Sequence, residues 1–161
     1  MKHAPWQRLL ARLIAEWFGT GSSPVAPGTV GSLGTLPLFW LMKDLDAWLY
    51  WALTALLALL GVWAAGVRSE ELSDEDPSSV VIDEVIGVLL ALGMVRGESW
   101  QYWILAWVLF RLLDIVKPGL IDRAQSLRPA GVGIMADDVL AGVLAGGIAT
   151  VATLFGPLVL K

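Results

Sequence analysis

The chain has 161 residues, of which 57% are hydrophobic and 16% are charged. A soluble domain averages about 25% charged residues, and a chain this short has little interior in which to bury an apolar excess. The net charge of −4 argues against nucleic acid as a partner, the absence of cysteine excludes thiolate chemistry, and a single histidine argues against histidine-centred mechanisms. We therefore expect one membrane domain over residues 1–161.

The N-terminal segment has a single apolar stripe at helical spacing. The stripe consists of Trp6, Leu9, Leu10, Leu13, Ile14 and Trp17, and basic residues occupy much of the rest of the segment. This pattern predicts a helix that lies in the membrane interface. Packing of the same stripe onto a soluble core is the alternative.

Residues 19–37 are rich in Gly, Pro, Ser and Thr and contain no charge, so they cannot form one regular helix. Glycines let backbone N–H groups approach an anion closely, and hydroxyls add further donors. The segment is not a P-loop, because it does not end in Gly-Lys-Ser/Thr. A phosphate-wrapping loop and a plain structural turn both fit the segment. The candidate phosphate contacts are Thr20, Gly21, Gly28, Thr29 and Ser32.

Two uncharged stretches, 47–67 and 139–160, are each long enough to cross a membrane as a helix. A buried helix of a soluble domain is the alternative for each of them. Shorter apolar runs predict hairpins, with 33–42 paired to 47–67 and 84–95 paired to 100–113. The predicted fold is an all-α, small polytopic helical membrane bundle of four to five hydrophobic helices, some of them short or re-entrant, with an interfacial N-terminal helix.

This arrangement places segments 19–32, 68–84 and 111–138 on one face of the membrane. Eight of the eleven Lys and Arg residues lie on that face, whereas Lys43, Arg96 and Lys161 lie opposite. The positive-inside rule then predicts that the loop-rich face is cytoplasmic.

Acidic residues recur in three segments of that face. Asp83 and Glu84 begin an apolar helix, and capping by acids is the structural alternative for this pair. Arg111, Asp114 and Lys117 recur every three residues, which suits either an ion-pair ladder or a phosphate beside a metal ligand. Asp137 and Asp138 follow a glycine-rich turn and open the last predicted span. Adjacent helical residues point about 100° apart, so at least one aspartate should face the bundle.

Several carboxylates without His or Cys favour a hard cation such as Mg²⁺. The predicted metal ligands are Asp83, Glu84, Asp137 and Asp138, and the predicted catalytic residues are Asp83, Glu84 and Asp114. Arg111 and Lys117 are predicted to bind a phosphate. This equipment fits phosphoryl chemistry, but proton relays and ion sites also use intramembrane acids. A small ion-translocating protein and a structural membrane subunit therefore remain as alternatives.

The four segments, in this order, resemble the phosphatidylglycerophosphatase A family. In this chain the motifs stand as Gly19 to Gly21 with Pro24 to Ser32, Asp76 to Gly87, Phe110 to Pro118, and Gly131 to Gly142. Two departures from the family pattern are Gly119 where a second proline is expected and Ala130 where a glycine is common. Neither departure touches a charged position.

The resemblance implies a phosphatase that converts phosphatidylglycerophosphate and water into phosphatidylglycerol and phosphate. It further implies a requirement for Mg²⁺ and a multi-pass protein of the bacterial inner membrane, with its active site at the cytoplasmic face.

Overall fold

The computed structural model of the protein describes residues 3–155, and the secondary structure of this part of the chain consists of helices without strands. Its eight α-helices are α1 (Pro5–Ala15), α2 (Pro27–Gly34), α3 (Leu36–Met42), α4 (Ala47–Leu72), α5 (Ile82–Gly93), α6 (Trp100–Val116), α7 (Leu120–Ala124) and α8 (Ala130–Leu154). The all-α prediction is confirmed. The helix count is higher than predicted because short helices form within 19–37 and 111–138.

Two helices are long and apolar enough to cross a membrane. α4 has 26 residues and α8 has 25, and each contains a window of high hydropathy with few charges. Large apolar side chains on both helices point outward, among them Leu59 and Ile148. These two helices correspond to the predicted spans, although residues 156–160 of the second prediction lie outside the described residues.

α1 buries its small residues and exposes most of its large ones. It begins at Pro5, and the amide of Ala4 donates a hydrogen bond to the Gln7 side chain at 2.8 Å. Ala11 and Ala15 are fully buried, whereas Trp6 and Leu9 are mostly exposed. Leu10 and Leu13 of the predicted apolar stripe are exposed as well, which suits an interfacial helix. Ile14 and Trp17, at the other end of the stripe, pack against the core.

α5 lies at the centre of the bundle and meets α8 through glycines. A Cβ atom on Gly142 would lie 2.5 Å from the carbonyl oxygen of Gly87, and one on Gly146 would lie 3.0 Å from that of Ala91. Small residues at four-residue spacing let two helix backbones approach closely in a membrane. This contact holds the second and third turns of α5 against the middle of α8.

The predicted start of the last span was wrong. α8 begins at Ala130, and Gly131 and Gly133 belong to its first turn instead of forming a turn that precedes it. The reason is a tertiary contact, because a Cβ atom on Gly131 would lie 2.2 Å from the Val62 carbonyl oxygen of α4. Asp137 and Asp138 consequently lie two turns inside the helix.

Of the two predicted hairpins, α5 with α6 forms as expected. The Trp103 indole of α6 donates a hydrogen bond to the Val95 carbonyl at 3.0 Å, across the turn. The other predicted hairpin would pack α3 against α4. Between these two helices the structure instead has an apolar groove of about 570 Å³ that includes Leu41 and Leu56. We call it the α3–α4 groove.

Candidate active site

Three carboxylates from two helices meet at the end of the bundle where α5 begins. Asp83 and Glu84 lie in the first turn of α5, and Asp138 lies in the third turn of α8. One oxygen of each residue lies within 4.8 Å of the corresponding oxygens of the other two. We call Asp83, Glu84 and Asp138 the acid triad. The close glycine contact between α5 and α8 brings its two parts together.

The acid triad needs a compensating positive charge or protons. Asp138 is buried, and Asp83 and Glu84 are half-buried. Like charges this close disfavour one another's ionised form. Within the described chain, Glu84 Oε2 is buried and has no hydrogen-bond partner. An all-oxygen donor set of this kind could hold a hard metal ion.

A basic residue borders the triad on α6. Arg111 Nη1 lies 2.8 Å from a carboxylate oxygen of Asp114, one turn further along the helix, and both side chains are largely buried. A Cβ atom on Gly28 would lie 2.1 Å from Glu84 Oε1 and 3.3 Å from Arg111 Nη2. The start of α2 therefore packs directly against these two groups, and a side chain at position 28 would displace them.

Lys117 joins the end of α6 to α8. Its ammonium lies 2.5 Å from Asp137 Oδ2 and 3.0 Å from the Gln125 side-chain oxygen. Burial lowers the pKa of Lys117, but the hydrogen bond and charge of Asp137, with Asp138 and Asp114 nearby, outweigh it and hold the pKa above its ordinary value. Lys117 is therefore a cation at neutral pH. Asp137 is thus paired with lysine and lies outside the acid triad.

These groups line one polar pocket of about 280 Å³. Its lining comprises Pro27, Gly28, Asp76, Pro77, Ser78, Val80, Asp83, Glu84, Arg111, Asp114, Lys117, Asp137 and Asp138. All seven charged residues predicted for the site are among them. A pocket with two cations and several carboxylates can bind a phosphate together with a metal ion.

Most of the predicted phosphate loop lies elsewhere. The Thr20 hydroxyl donates to the Trp17 carbonyl at 3.0 Å, and the fully buried Ser32 donates to the Thr29 carbonyl at 3.0 Å. Gly21 packs against the Ser79 carbonyl. Because residues 27–34 are helical, only the first turn of α2 reaches the pocket, and Gly28 is the one candidate phosphate contact in its lining.

The segment before α5 adds residues that were not selected from the sequence. Asp76, Pro77 and Ser78 line the pocket. Two features of the sequence point to these residues. They directly precede Asp83 and Glu84 in the same motif, and Pro77 restricts the backbone that leads into α5.

Comparisons with known proteins identify one family. The sequence model of the phosphatidylglycerophosphatase A family matches residues 13–153. Phosphatidylglycerophosphatase A of Escherichia coli is 37% identical over 144 residues, which are 89% of this chain and 81% of that protein. The protein of the same name from Haemophilus influenzae is 39% identical over 134 residues, 83% of this chain and 82% of that one.

A third relative has a different name. A Bacteroides thetaiotaomicron protein provisionally named phosphatidylinositol-3-phosphatase is 43% identical over 138 residues, 81% of this chain and 86% of that protein. No solved structure matches the chain significantly. The family match extends over the acid triad and over Arg111 and Lys117, and the chain belongs to the phosphatidylglycerophosphatase A family.

Proposed function

We propose that the protein is a lipid phosphatase that hydrolyses phosphatidylglycerophosphate to phosphatidylglycerol and phosphate. The observation that carries the proposal is the convergence of the acid triad with Arg111 and Lys117 in one pocket of a family member. An ion-conducting protein would instead distribute its acids through the depth of the membrane.

The acid triad fits Mg²⁺ because each of its donors is a carboxylate oxygen and one of them, Glu84 Oε2, has no protein partner among the described residues. Asp83, Glu84 and Asp138 would hold the ion. When bound, Mg²⁺ supplies positive charge to the phosphate oxygens and can lower the pKa of a water.

The protein's own residues orient the phosphate. Arg111 presents a planar set of N–H donors, and its pairing with Asp114 fixes the guanidinium at the pocket wall. Lys117, which is paired with Asp137, adds a second cation to the pocket. Asp83 or Glu84 accepts the proton of the attacking water, or holds that water in place.

We place the protein in the bacterial inner membrane with this pocket at the cytoplasmic face. Support comes from the positive charge on the pocket side, which includes Arg68, Arg123 and Arg128; Lys2 and Lys161 lie outside the described residues. Because the chain has no cysteine, Ser73→Cys, an exposed position at the end of α4, creates a single reactive thiol. An impermeant reagent should fail to label it in intact cells, and efficient labelling would reverse the orientation.

The activity test measures phosphate release by purified protein in detergent. We expect turnover with Mg²⁺ and its loss in excess EDTA. Asp83→Asn and Asp138→Asn should lower the rate on the order of 10³-fold or more, because a lost metal ligand removes several kcal/mol of transition-state stabilisation.

Asp122→Asn is the matched control, since Asp122 is exposed on α7 and does not line the pocket. It should retain near-normal turnover. If the two triad variants remain folded and as active as this control, the acid triad is scaffolding and the site assignment is refuted.

A second candidate substrate is phosphatidylinositol 3-phosphate. The name and 43% identity of the Bacteroides relative favour it. Both lipids carry a phosphate monoester, so the same pocket suits either. The ratio of kcat/KM for the two lipids, measured with one preparation, decides between them.

A further inference from the structure

A second apolar groove lies along α6. It has a volume of about 410 Å³ and is enclosed by α2 and α3, α5 and α6. Its floor is formed by Phe39 and Leu92, which are almost completely buried, and its rim includes Leu33, Ile104 and Val108, which are exposed. We call it the α6 groove.

The α6 groove begins where the polar pocket ends. On α6, Ile104, Trp107 and Val108 line the groove, and Arg111 lines the pocket. These residues are three or four positions apart, so they share one face of the helix and follow each other at one-turn spacing. The transition from apolar to charged lining takes place within one turn.

Two more helices show the same transition from charged to apolar lining. α2 has Gly28 at the pocket and Leu33 at the groove, and α5 has Glu84 at the pocket and Leu92 at the groove. Three separate helices, α2, α5 and α6, therefore line both the charged pocket and the α6 groove. A lipid with a phosphate head and a hydrocarbon tail has the same distribution of charge along its length.

The length of the α6 groove also matches a lipid tail. From Val108 to Trp100, the two outermost groove residues on α6, the helix advances about 12 Å. One leaflet of the hydrocarbon core is about 15 Å deep. The groove is therefore long enough to cover most of an acyl chain within one leaflet.

The groove is held open by fixed aromatic residues. The Trp103 indole is anchored by its hydrogen bond to the Val95 carbonyl, and its ring meets Phe39 edge-on with the centroids 5.2 Å apart. A preformed apolar site binds a flexible chain without the cost of first ordering its own walls.

We propose that the α6 groove binds an acyl chain of the lipid whose phosphate occupies the polar pocket. This inference rests on the proposed lipid-phosphatase function and specifies the part of the substrate that the pocket leaves unbound. Chain recognition then contributes to kcat/KM in addition to headgroup recognition.

The test fills the groove and compares substrates of different chain length. Ile104→Trp adds a ring at a rim position that is 52% exposed, so folding should tolerate it. Leu56→Trp makes the same change in the α3–α4 groove, at a position that is 55% exposed. Both variants are assayed with dioleoyl and dihexanoyl phosphatidylglycerophosphate in mixed micelles.

We expect Ile104→Trp to lower kcat/KM for the dioleoyl lipid by about tenfold or more, because several methylene groups lose their apolar contacts. Activity on the dihexanoyl lipid should change by less than about twofold, and Leu56→Trp should leave the ratio of the two substrates unchanged. An equal loss on both substrates, no loss on either, or the same change in ratio from Leu56→Trp would overturn the proposal.

A labelling measurement gives an answer that does not depend on turnover. Ile104→Cys and Leu56→Cys each introduce the only thiol of the chain. With EDTA present, dioleoyl phosphatidylglycerophosphate should slow maleimide labelling of the first variant and leave the second unaffected, whereas equal rates would refute the groove. Failure of the unmodified protein to hydrolyse either lipid would refute the proposed function, and this labelling would still decide the groove.

Discussion

Replacing Gly142 with alanine tests whether the contact between α5 and α8 sets the geometry of the acid triad. The added Cβ atom would lie 2.5 Å from the Gly87 carbonyl oxygen and 2.9 Å from the Gly87 Cα atom. Both are backbone atoms, which cannot rotate away as a side chain can. To reach an ordinary contact of 3.4 Å the two helices must separate by about 0.9 Å at this point.

That separation acts directly on the triad. Asp138 lies one turn before Gly142 on α8, and Asp83 lies one turn before Gly87 on α5. A displacement of about 1 Å in a reacting group costs on the order of 10²-fold in rate. Overpacking at the contact should also cost about 1–3 kcal/mol of stability, partly offset by the better helix propensity of alanine, about 0.5–1 kcal/mol.

Gly147→Ala on the same helix is the matched control. A Cβ atom there meets no other atom within 4 Å, so this variant gains the propensity term without the clash. We expect Gly142→Ala to lose about 10²-fold in phosphate release per folded molecule and to unfold at a lower temperature than Gly147→Ala in the same detergent. If the two variants have equal activity and equal melting temperature, the contact does not set the site. If only stability falls, its coupling to the acid triad is refuted.

Three further changes have predictable effects on stability, measured by thermal or denaturant unfolding in detergent. Glu16→Ala should cost about 3 kcal/mol of stability, because Glu16 lies 2.7 Å from the buried Arg68, which then keeps its ion pair with Glu71 of the same helix. A loss below about 1 kcal/mol would contradict this. Tyr50→Phe should cost about 1 kcal/mol, since it removes a buried 2.7 Å hydrogen bond to the Leu89 carbonyl, and an unchanged melting temperature would refute the estimate. Gly97→Ala should change stability by less than about 0.5 kcal/mol because a Cβ atom there meets nothing within 4 Å, so a large loss would show that the turn itself is strained.

The parts of the fold that could be predicted are those specified by local pattern. The uncharged stretch 47–67 and the heavily apolar composition predict long helices, because a backbone in an apolar environment must satisfy its own hydrogen bonds. The acids of α5 could be assigned to its first turn because Asp83 and Glu84 directly precede an apolar run. Their meeting with α8 followed from placing charged helix ends on one face.

The parts that could not be predicted depend on contacts between distant segments. Gly28 and Gly31 read as loop glycines, yet they lie in α2, where their missing side chains admit Glu84 and Val81. Asp137 and Asp138 are adjacent in the sequence, but the helix turns them toward different neighbours, Lys117 for the first and the acid triad for the second. No local pattern specifies which of two adjacent acids faces which neighbour.

The division of the acid triad between α5 and α8 has a consequence for the biosynthesis of the protein. α8 carries two aspartates and no basic residue. In the proposed membrane topology both enter the lipid with the helix, at a cost for each acid of up to about 2.5–3.5 kcal/mol, the value for the membrane centre. Lys117 and the glycine face of α5, both made earlier, offer those aspartates a charge partner and a packing surface. Insertion of the last long helix is therefore favoured by the helices already in place, and a nascent chain stopped before α8 contains Asp83 and Glu84 but no complete triad.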